Sequence, residues 1–176
     1  MVDESIEPRV VLELGIAAAR NALAIAEEAT LLADEGRDAR AFSLSVLGAE
    51  ELSKAWAARV AGLFPDDPAI GPELRAILRR HHKLKIDASL FLERDVPKLA
   101  GLEPDAMARE LAGVLSEELY AKKNAGMYVD LVDDRVEGPE RIGPEDLALG
   151  KRLRKMVVAW AMVLEGTMQA DLEALE

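Results

Sequence analysis

The sequence has no cysteine and few aromatic residues, and these two features narrow the classes of protein to which it can belong. Among 176 residues there is no Cys, which excludes a disulfide framework, a thiolate metal site and a thiol nucleophile. Phe, Trp and Tyr together make up only 4% of the chain, while Ala, Leu and Glu are abundant, and this composition favours helices. No uncharged run reaches the roughly 20 residues of a membrane-spanning helix. We therefore expect a helical protein with no membrane partner.

The charge of the chain is strongly negative. It has 33 acidic and 22 basic side chains, which give a formal net charge of −11. Such a charge argues against a broad surface that follows nucleic-acid phosphates, but it leaves room for a local basic site. The length suits one domain with a buried core, and we predict a single domain over residues 1–176. The acidic N-terminus lacks a signal-peptide hydrophobic region, so we expect a cytoplasmic protein.

Glycine and proline divide the chain into five long segments with helical spacing of apolar residues. The segments run over about 8–35, 37–63, 72–95, 104–132, and 144 to the C-terminus. A loop rich in Gly, Pro and charge separates the last two segments. No segment shows sustained strand alternation. The sequence therefore predicts an all-α fold, an antiparallel bundle of four to five helices.

The second segment contains an unusual charged cluster, Glu50-Glu51-Leu52-Ser53-Lys54. Lys54 lies four residues after Glu50 and three after Glu51, so either pair can form an ion pair along the helix. One interpretation is a solvated charged face. The residues on both sides are small or apolar, however, and a Glu among them is expected to face a helix interface, where it needs a partner.

The third segment contains a basic cluster with both histidines and no acid. At 100° per residue, Arg75, Arg79, His82 and Lys85 lie on one stripe of a helix, and His81 points elsewhere. Arg presents a two-pronged donor to phosphate, and His exchanges a proton near neutral pH. The stripe therefore suits an anionic ligand. The alternative is a basic face that balances acidic neighbours.

A third cluster lies in the fourth segment, over 122–130. Asn124-Ala125-Gly126 interrupts the helical pattern, and Tyr128 follows it. One interpretation is a kink with a half-buried Tyr128; the other is part of a site. Asn21, a polar residue on the apolar face of the first segment, is similarly either an interhelical hydrogen-bond partner or a site residue.

In order, these clusters resemble the AbiV-type abortive infection proteins of bacteria, a branch of the HEPN superfamily. The resemblance spans about residues 14 to 130. It rests on the segments 19–32, 37–55, 82–85 and 123–130. It implies a HEPN-like helical bundle, a homodimer, and a role in defence against phage. It implies no cofactor and no metal.

Many HEPN proteins are metal-independent endoribonucleases with an Arg and a His separated by four to six residues. Arg75 with His82 and Arg75 with His81 both satisfy that spacing, although Ala76 stands where these enzymes usually have a polar residue. If the chain cleaves RNA, His82 is the predicted acid and base. Arg75 and Arg79 would hold the phosphate.

The remaining predicted site residues support that chemistry. Lys85 would add positive charge at the transition state. One of the two Glu residues of the second segment would orient Lys54 or His82. The pocket would be completed or supported by Glu50, Glu51, Lys54, Asn21, Asn124 and Tyr128. A two-fold dimer would bring a second histidine to the reaction.

Two other functions remain open from the sequence. In the first, the protein is a non-catalytic defence or regulatory module that binds a phage or host protein, and the polar clusters hold the bundle together. In the second, the bundle binds a small anionic ligand such as a nucleotide. A cleft that contains Arg75 and His82 would favour a site, and a buried network without a cleft would favour a structural role.

Overall fold

The architecture is known from a computed structural model that describes residues 7–64, 117–128, 130–132 and 135–175. These residues form four α helices, a short hairpin and one 3₁₀ turn. The elements are α1 (Pro8–Asp34), α2 (Asp38–Leu63), α3 (Glu117–Met127), β1 (Asp130–Val132), β2 (Arg135–Glu137), the 3₁₀ turn (Pro139–Arg141) and α4 (Pro144–Glu173). The all-α prediction is confirmed. The predicted segment 72–95 and the start of the next one lie outside the described residues.

Helices α1 and α2 form a tight antiparallel pair because the chain reverses its direction at a glycine directly after α1. Gly36 has φ +70°, a left-handed conformation that glycine adopts without steric cost. Its N–H donates to Ala33 O (3.0 Å), and the N–H of Arg37 donates to Leu32 O (2.8 Å), which together make a Schellman cap. The predicted end of the first segment at about residue 35 is confirmed, because α1 ends at Asp34.

The core lies where α1, α2 and α4 pack on one another. Helix α1 places small side chains against its neighbours, and these let the helix axes approach closely. The fully buried alanines of α1 are Ala19, Ala22, Ala26 and Ala29. Larger side chains fill the remaining volume, led by Phe42, Leu12, Leu52, Leu164 and Met168. None of the described helices is both long and apolar enough to cross a membrane.

The segment after α3 differs from the sequence-based expectation. The prediction of a helix to about Val132 followed by a loop is wrong, because α3 ends at Met127 and the chain then forms an antiparallel hairpin. Leu131 pairs with Val136, and Val132 pairs with Arg135. Valine favours strands, and only two residues, both Asp, separate β1 from β2 in the sequence. An Asp-Asp pair lacks the Asn-Gly or Asp-Gly signal that is typical of a two-residue hairpin turn.

Helix α3 crosses α2 at a glycine. A Cβ atom built on Gly126 would lie 2.6 Å from the main-chain oxygen of Ala39 and closer still to the hydroxyl of Ser43. That hydroxyl donates a hydrogen bond to Lys123 O (2.7 Å), which fixes α3 against α2. Gly126 is therefore required by the close contact of two backbones.

Gly126→Ala should destabilise the fold, since the contact is with main-chain atoms that cannot move without shifting a helix. We expect a loss of about 1–3 kcal/mol in the free energy of unfolding, measured by urea denaturation. Gly48→Ala is the matched control: its added Cβ would meet neighbours at ordinary distances of 3.5 Å or more. That control should be neutral or stabilising by up to about 1 kcal/mol. Equal losses in the two variants would contradict the close-contact explanation.

The start of α4 is fixed by Asp146, which is buried at the third helical position. Its carboxylate accepts hydrogen bonds from Gly143 N (3.0 Å) and from Lys122 Nζ (2.8 Å), so it joins α3 to α4. Burial raises the pKa of Asp146, but the bonds from Lys122 and Gly143 outweigh it and hold the pKa below its ordinary 3.8. The predicted helix start at Pro144 is confirmed.

This lowered pKa makes part of the stability pH-dependent. The unfolded chain binds the proton more tightly than the folded one, so the contribution is complete above about pH 4 and is lost as the pH falls through the lowered pKa. Asp146→Asn should cost about 1.5–3 kcal/mol at pH 7 and should flatten the loss of stability in acid. Urea midpoints at a series of pH values measure both effects. Glu145→Gln, at the neighbouring exposed position, should change neither.

Candidate functional site

The charged residues in the middle of α2 meet polar side chains from both neighbouring helices. We call this group the α2 polar cluster. It consists of Glu50, Glu51 and Lys54 on α2, Asn21 on α1 and Lys123 on α3. A Glu of the second segment was predicted to face a helix interface and to need a partner there. The cluster shows which partners the fold supplies.

Glu51 joins α2 to α1. Its Oε1 forms an ion pair with Lys54 one turn along the same helix. Its Oε2 accepts a hydrogen bond from Asn21 Nδ2 at 3.1 Å. Both carboxylate oxygens are therefore engaged, and the ammonium of Lys54 is held at a fixed point on the surface of α2. Of the two predicted roles for Asn21, the geometry shows the interhelical hydrogen bond.

Glu50 joins α2 to α3. Both of its oxygens accept from Lys123 Nζ, at 2.7 and 2.9 Å, across 73 residues of sequence. The alternative pairing along the helix, Glu50 with Lys54, does not form, because Lys54 pairs with Glu51. The two adjacent glutamates thus point towards different helices, each with its own lysine.

Asn21 is exposed, but the four charged side chains of the cluster are half-buried, which strengthens the electrostatic interactions between them. The side chains of Glu50 and Lys123 are 19% and 13% exposed, and those of Glu51 and Lys54 are 13% and 27% exposed. Charges at this depth are screened less than surface charges and need their partners more. The two negative carboxylates and the two positive ammonium groups give the cluster no net charge. The arrangement can orient a lysine toward an anion, and Lys54 is the most exposed of the four charged groups.

The other predicted site residues divide into two groups. Asn124 is half-buried in the last turn of α3, and its main-chain oxygen accepts from Tyr128 N at 2.9 Å. The prediction that residues 124–126 interrupt the helix is wrong, because α3 continues through them to Met127. Tyr128 is 64% exposed, so the interpretation of a half-buried Tyr128 is also wrong. The predicted acid–base and phosphate-binding residues lie outside the described residues. These are Arg75, Arg79, His81, His82 and Lys85.

Sequence reasoning missed the role of Lys123 and of Ser43. Lys123 precedes Asn124 in a segment that was singled out for its break in helical pattern, but its side chain was not expected to reach α2. The only available signal was Gly126 one turn later, which permits the close contact of α3 with α2. Ser43 offered no signal, because a serine within a helix is unremarkable in sequence.

A second polar site lies at the opposite face of α2, against α4. Arg154 donates to the hydroxyl of Ser45 (3.0 Å) and borders a cavity of about 20 Å³ beside Asp38 and Phe42. Burial lowers the pKa of Arg154, and Asp34 and Asp38 oppose that shift; the guanidinium stays charged. The cavity has room for about one water and none for a nucleotide. Within the described ranges, no three His, Asp or Glu residues are grouped to hold a metal ion.

Comparison with known protein families identifies a match over most of the chain. The family model described as AbiV, a HEPN family, matches residues 10–150. No curated protein and no solved structure matches the chain. The matched range includes every residue of the α2 polar cluster and the whole basic segment around His82.

A double-mutant cycle on Glu50 and Lys123 should measure how strongly α2 and α3 are coupled. Glu50→Gln and Lys123→Met should each destabilise the fold, because each leaves a half-buried charge without its partner. The coupling free energy should be about 0.5–3 kcal/mol, measured from urea denaturation of the wild type, both single variants and the double variant. The exposed ion pair Arg9–Glu13 is the matched control, with expected coupling below about 0.5 kcal/mol. Equal coupling in the two pairs would show that burial adds nothing.

Proposed function

This chain belongs to the AbiV family of HEPN proteins, and from that premise we propose that it is a bacterial abortive-infection protein that cleaves RNA. The observation that supports the proposal is the range of the family match. Residues 10–150 contain the segment from Arg75 to His82, which has the spacing of HEPN ribonucleases. They also contain the α2 polar cluster. The family match supports the defence role, and the spacing supports the reaction.

The proposed reaction is transfer of the RNA phosphate to the neighbouring ribose oxygen. A base removes the proton from the 2′-hydroxyl, the 2′-oxygen bonds to phosphorus, and the bond to the 5′-oxygen breaks. An acid returns a proton to that leaving oxygen. The products are a 2′,3′-cyclic phosphate and a 5′-hydroxyl end. His82 serves as the proton carrier, since the unperturbed pKa of His, about 6.5, lies near the working pH.

Positive side chains stabilise the charge that develops on the phosphate. Arg75 and Arg79 bind the non-bridging oxygens, and Lys85 adds charge as the transition state forms. The segment 75–85 has five Arg and Lys residues and no acid, so it attracts RNA locally although the whole chain has a net charge of −11. We assign the α2 polar cluster a positioning role. Glu51 holds the ammonium of Lys54, which would help to orient the substrate.

A non-catalytic module that binds a phage or host protein is the second candidate. The observation in its favour is that the carboxylates of the cluster are satisfied by protein partners, as in a structural network. Such a network stabilises the contacts of α2 with α1 and α3 whether or not RNA binds. The two candidates differ in one respect: only the first requires His82.

Cleavage of cellular RNA in EDTA tests the proposed reaction. The purified wild type should cut RNA to products with 2′,3′-cyclic phosphate ends, and His82→Ala should lower the rate by about 10²–10⁴-fold with unchanged helicity. His81→Ala is the matched control and should retain most activity. Activity that survives in His82→Ala but not in His81→Ala would contradict the assignment of the proton carrier.

The same variants in phage-infected cells separate the two candidate functions. Cells that produce the wild type should resist phage, and His82→Ala should abolish resistance if RNA cleavage is the mechanism. In the RNA cleavage assay on purified protein, Lys54→Met should lower kcat by a larger factor than its loss of stability explains if the cluster positions the substrate. Full resistance with His82→Ala, at equal protein levels, would favour the protein-binding module.

A further inference from the structure

Helix α4 has an exposed stripe on the side opposite the core. Its successive members are separated by 4, 3, 4, 4, 3 and 4 residues. At 100° per residue they stay within a sector of about 80° around the helix axis. Its members, all exposed, are Lys151, Lys155, Val158, Met162, Gly166, Gln169 and Glu173. The buried residues of α4, such as Leu153 and Leu164, lie on the other side of the helix. The stripe is therefore not needed for the core of this chain.

The middle of the stripe is apolar and its two ends have opposite charge. Met162 is 61% exposed and Val158 is 36% exposed, and Val163 beside them is 44% exposed. Lys151 and Lys155 lie toward the N-terminus of α4, and Glu173 lies at its C-terminal end. Large apolar side chains clustered in the middle of a surface helix are typical of an interaction surface.

Gly166 supplies an independent sign that another backbone approaches. A glycine inside a helix costs about 1 kcal/mol relative to alanine. Nothing in the described part of the chain requires it, because a Cβ built on Gly166 would meet no atom there within 4 Å. At Gly126, by contrast, the fold itself demands glycine. A glycine one turn from the apolar centre of an exposed stripe is explained if a second helix packs directly on it.

We propose that this stripe is the interface with a second copy of the chain, in which two α4 helices pack antiparallel about a two-fold axis at Met162. The spacing of the stripe reads the same in both directions from Met162, so it is self-complementary, as an isologous interface must be. In this register Val158 faces Gly166 of the partner subunit. Lys151 faces Glu173 of the partner subunit, and the pairing occurs twice.

The charges select this orientation over the parallel one. Parallel helices would place Lys151 beside Lys151 of the partner subunit and Glu173 beside Glu173 of the partner subunit, which is repulsive. Antiparallel helices replace those contacts with two Lys–Glu pairs and oppose the helix dipoles favourably. The alternation of three and four residues is also the spacing that lets paired helices interlock. This inference does not depend on RNA cleavage.

Cross-linking through an introduced cysteine tests the position of the axis, because the chain has no cysteine of its own. In Met162→Cys the two thiols should meet, and a short bis-maleimide should convert most of the protein to a covalent dimer. Leu31→Cys is the matched control: Leu31 is 66% exposed and lies on α1, not in the stripe, and should give little dimer. Equal cross-linking of the two variants, or none in Met162→Cys, would overturn the proposed axis.

Charge reversal tests the register in the otherwise unchanged chain. Lys151→Glu and Glu173→Lys should each raise the dimer dissociation constant about tenfold, measured by sedimentation equilibrium, and the double variant should restore it. Met162→Glu should abolish the dimer with unchanged helicity. A wild type that remains monomeric up to about 100 μM would overturn the proposal, and a double variant without recovery would overturn the register.

Discussion

The burial of α2 is the constraint on which the rest of the described structure depends. Helices α1, α3 and α4 all contact it, and from Ala55 to Ala61 every side chain is buried. Between Ala41 and Ala61 no residue of α2 is fully exposed, so few positions place a polar group in water. A polar residue in this stretch needs a partner inside the bundle, at a cost of about 1–3 kcal/mol if it fails.

The partners that α2 finds define how its neighbours are placed. Ser43, Ser45 and Ser53 turn their hydroxyls back to main-chain oxygens one turn earlier or toward an adjacent helix. The nearly buried guanidinium of Arg59 pairs with Asp171 on α4 at 3.0 Å. No buried polar side-chain atom in the described part of the chain lacks a hydrogen-bond partner. The polar residues of α2 therefore fix the position and the rotation of the helices around it.

The same constraint links the fold to the proposed function. Adjacent glutamates in an apolar helix would be costly unless two lysines met them. One lysine comes from the next turn of α2 and the other from α3. A group assembled from three helices holds its side chains rigidly, which is the property that substrate positioning requires. The exposed stripe of α4 differs from this cluster, because it lies away from the core and its pattern is self-complementary.

The composition, the spacing of apolar residues and the positions of glycine and proline predicted the fold class and several helix ends. Low aromatic content and abundant alanine gave the all-α class, Gly36 gave the turn between α1 and α2, and Pro144 gave the start of α4. These features are local, because helix ends depend on residues within one turn. The Asp-Asp hairpin after α3 was missed, since two three-residue strands give too short an alternation to separate from a frayed helix.

Only the tertiary structure decided which charges pair. The sequence allowed Lys54 to pair with either glutamate, and it gave no reason to connect Glu50 with a lysine 73 residues later. One residue of helix turns a side chain by 100°, so an uncertainty of one residue in phase changes the helix that a glutamate faces. The spacing of ionisable residues along the chain thus specified the chemistry available, and the packing of α1 and α3 on α2 assigned each charge its partner.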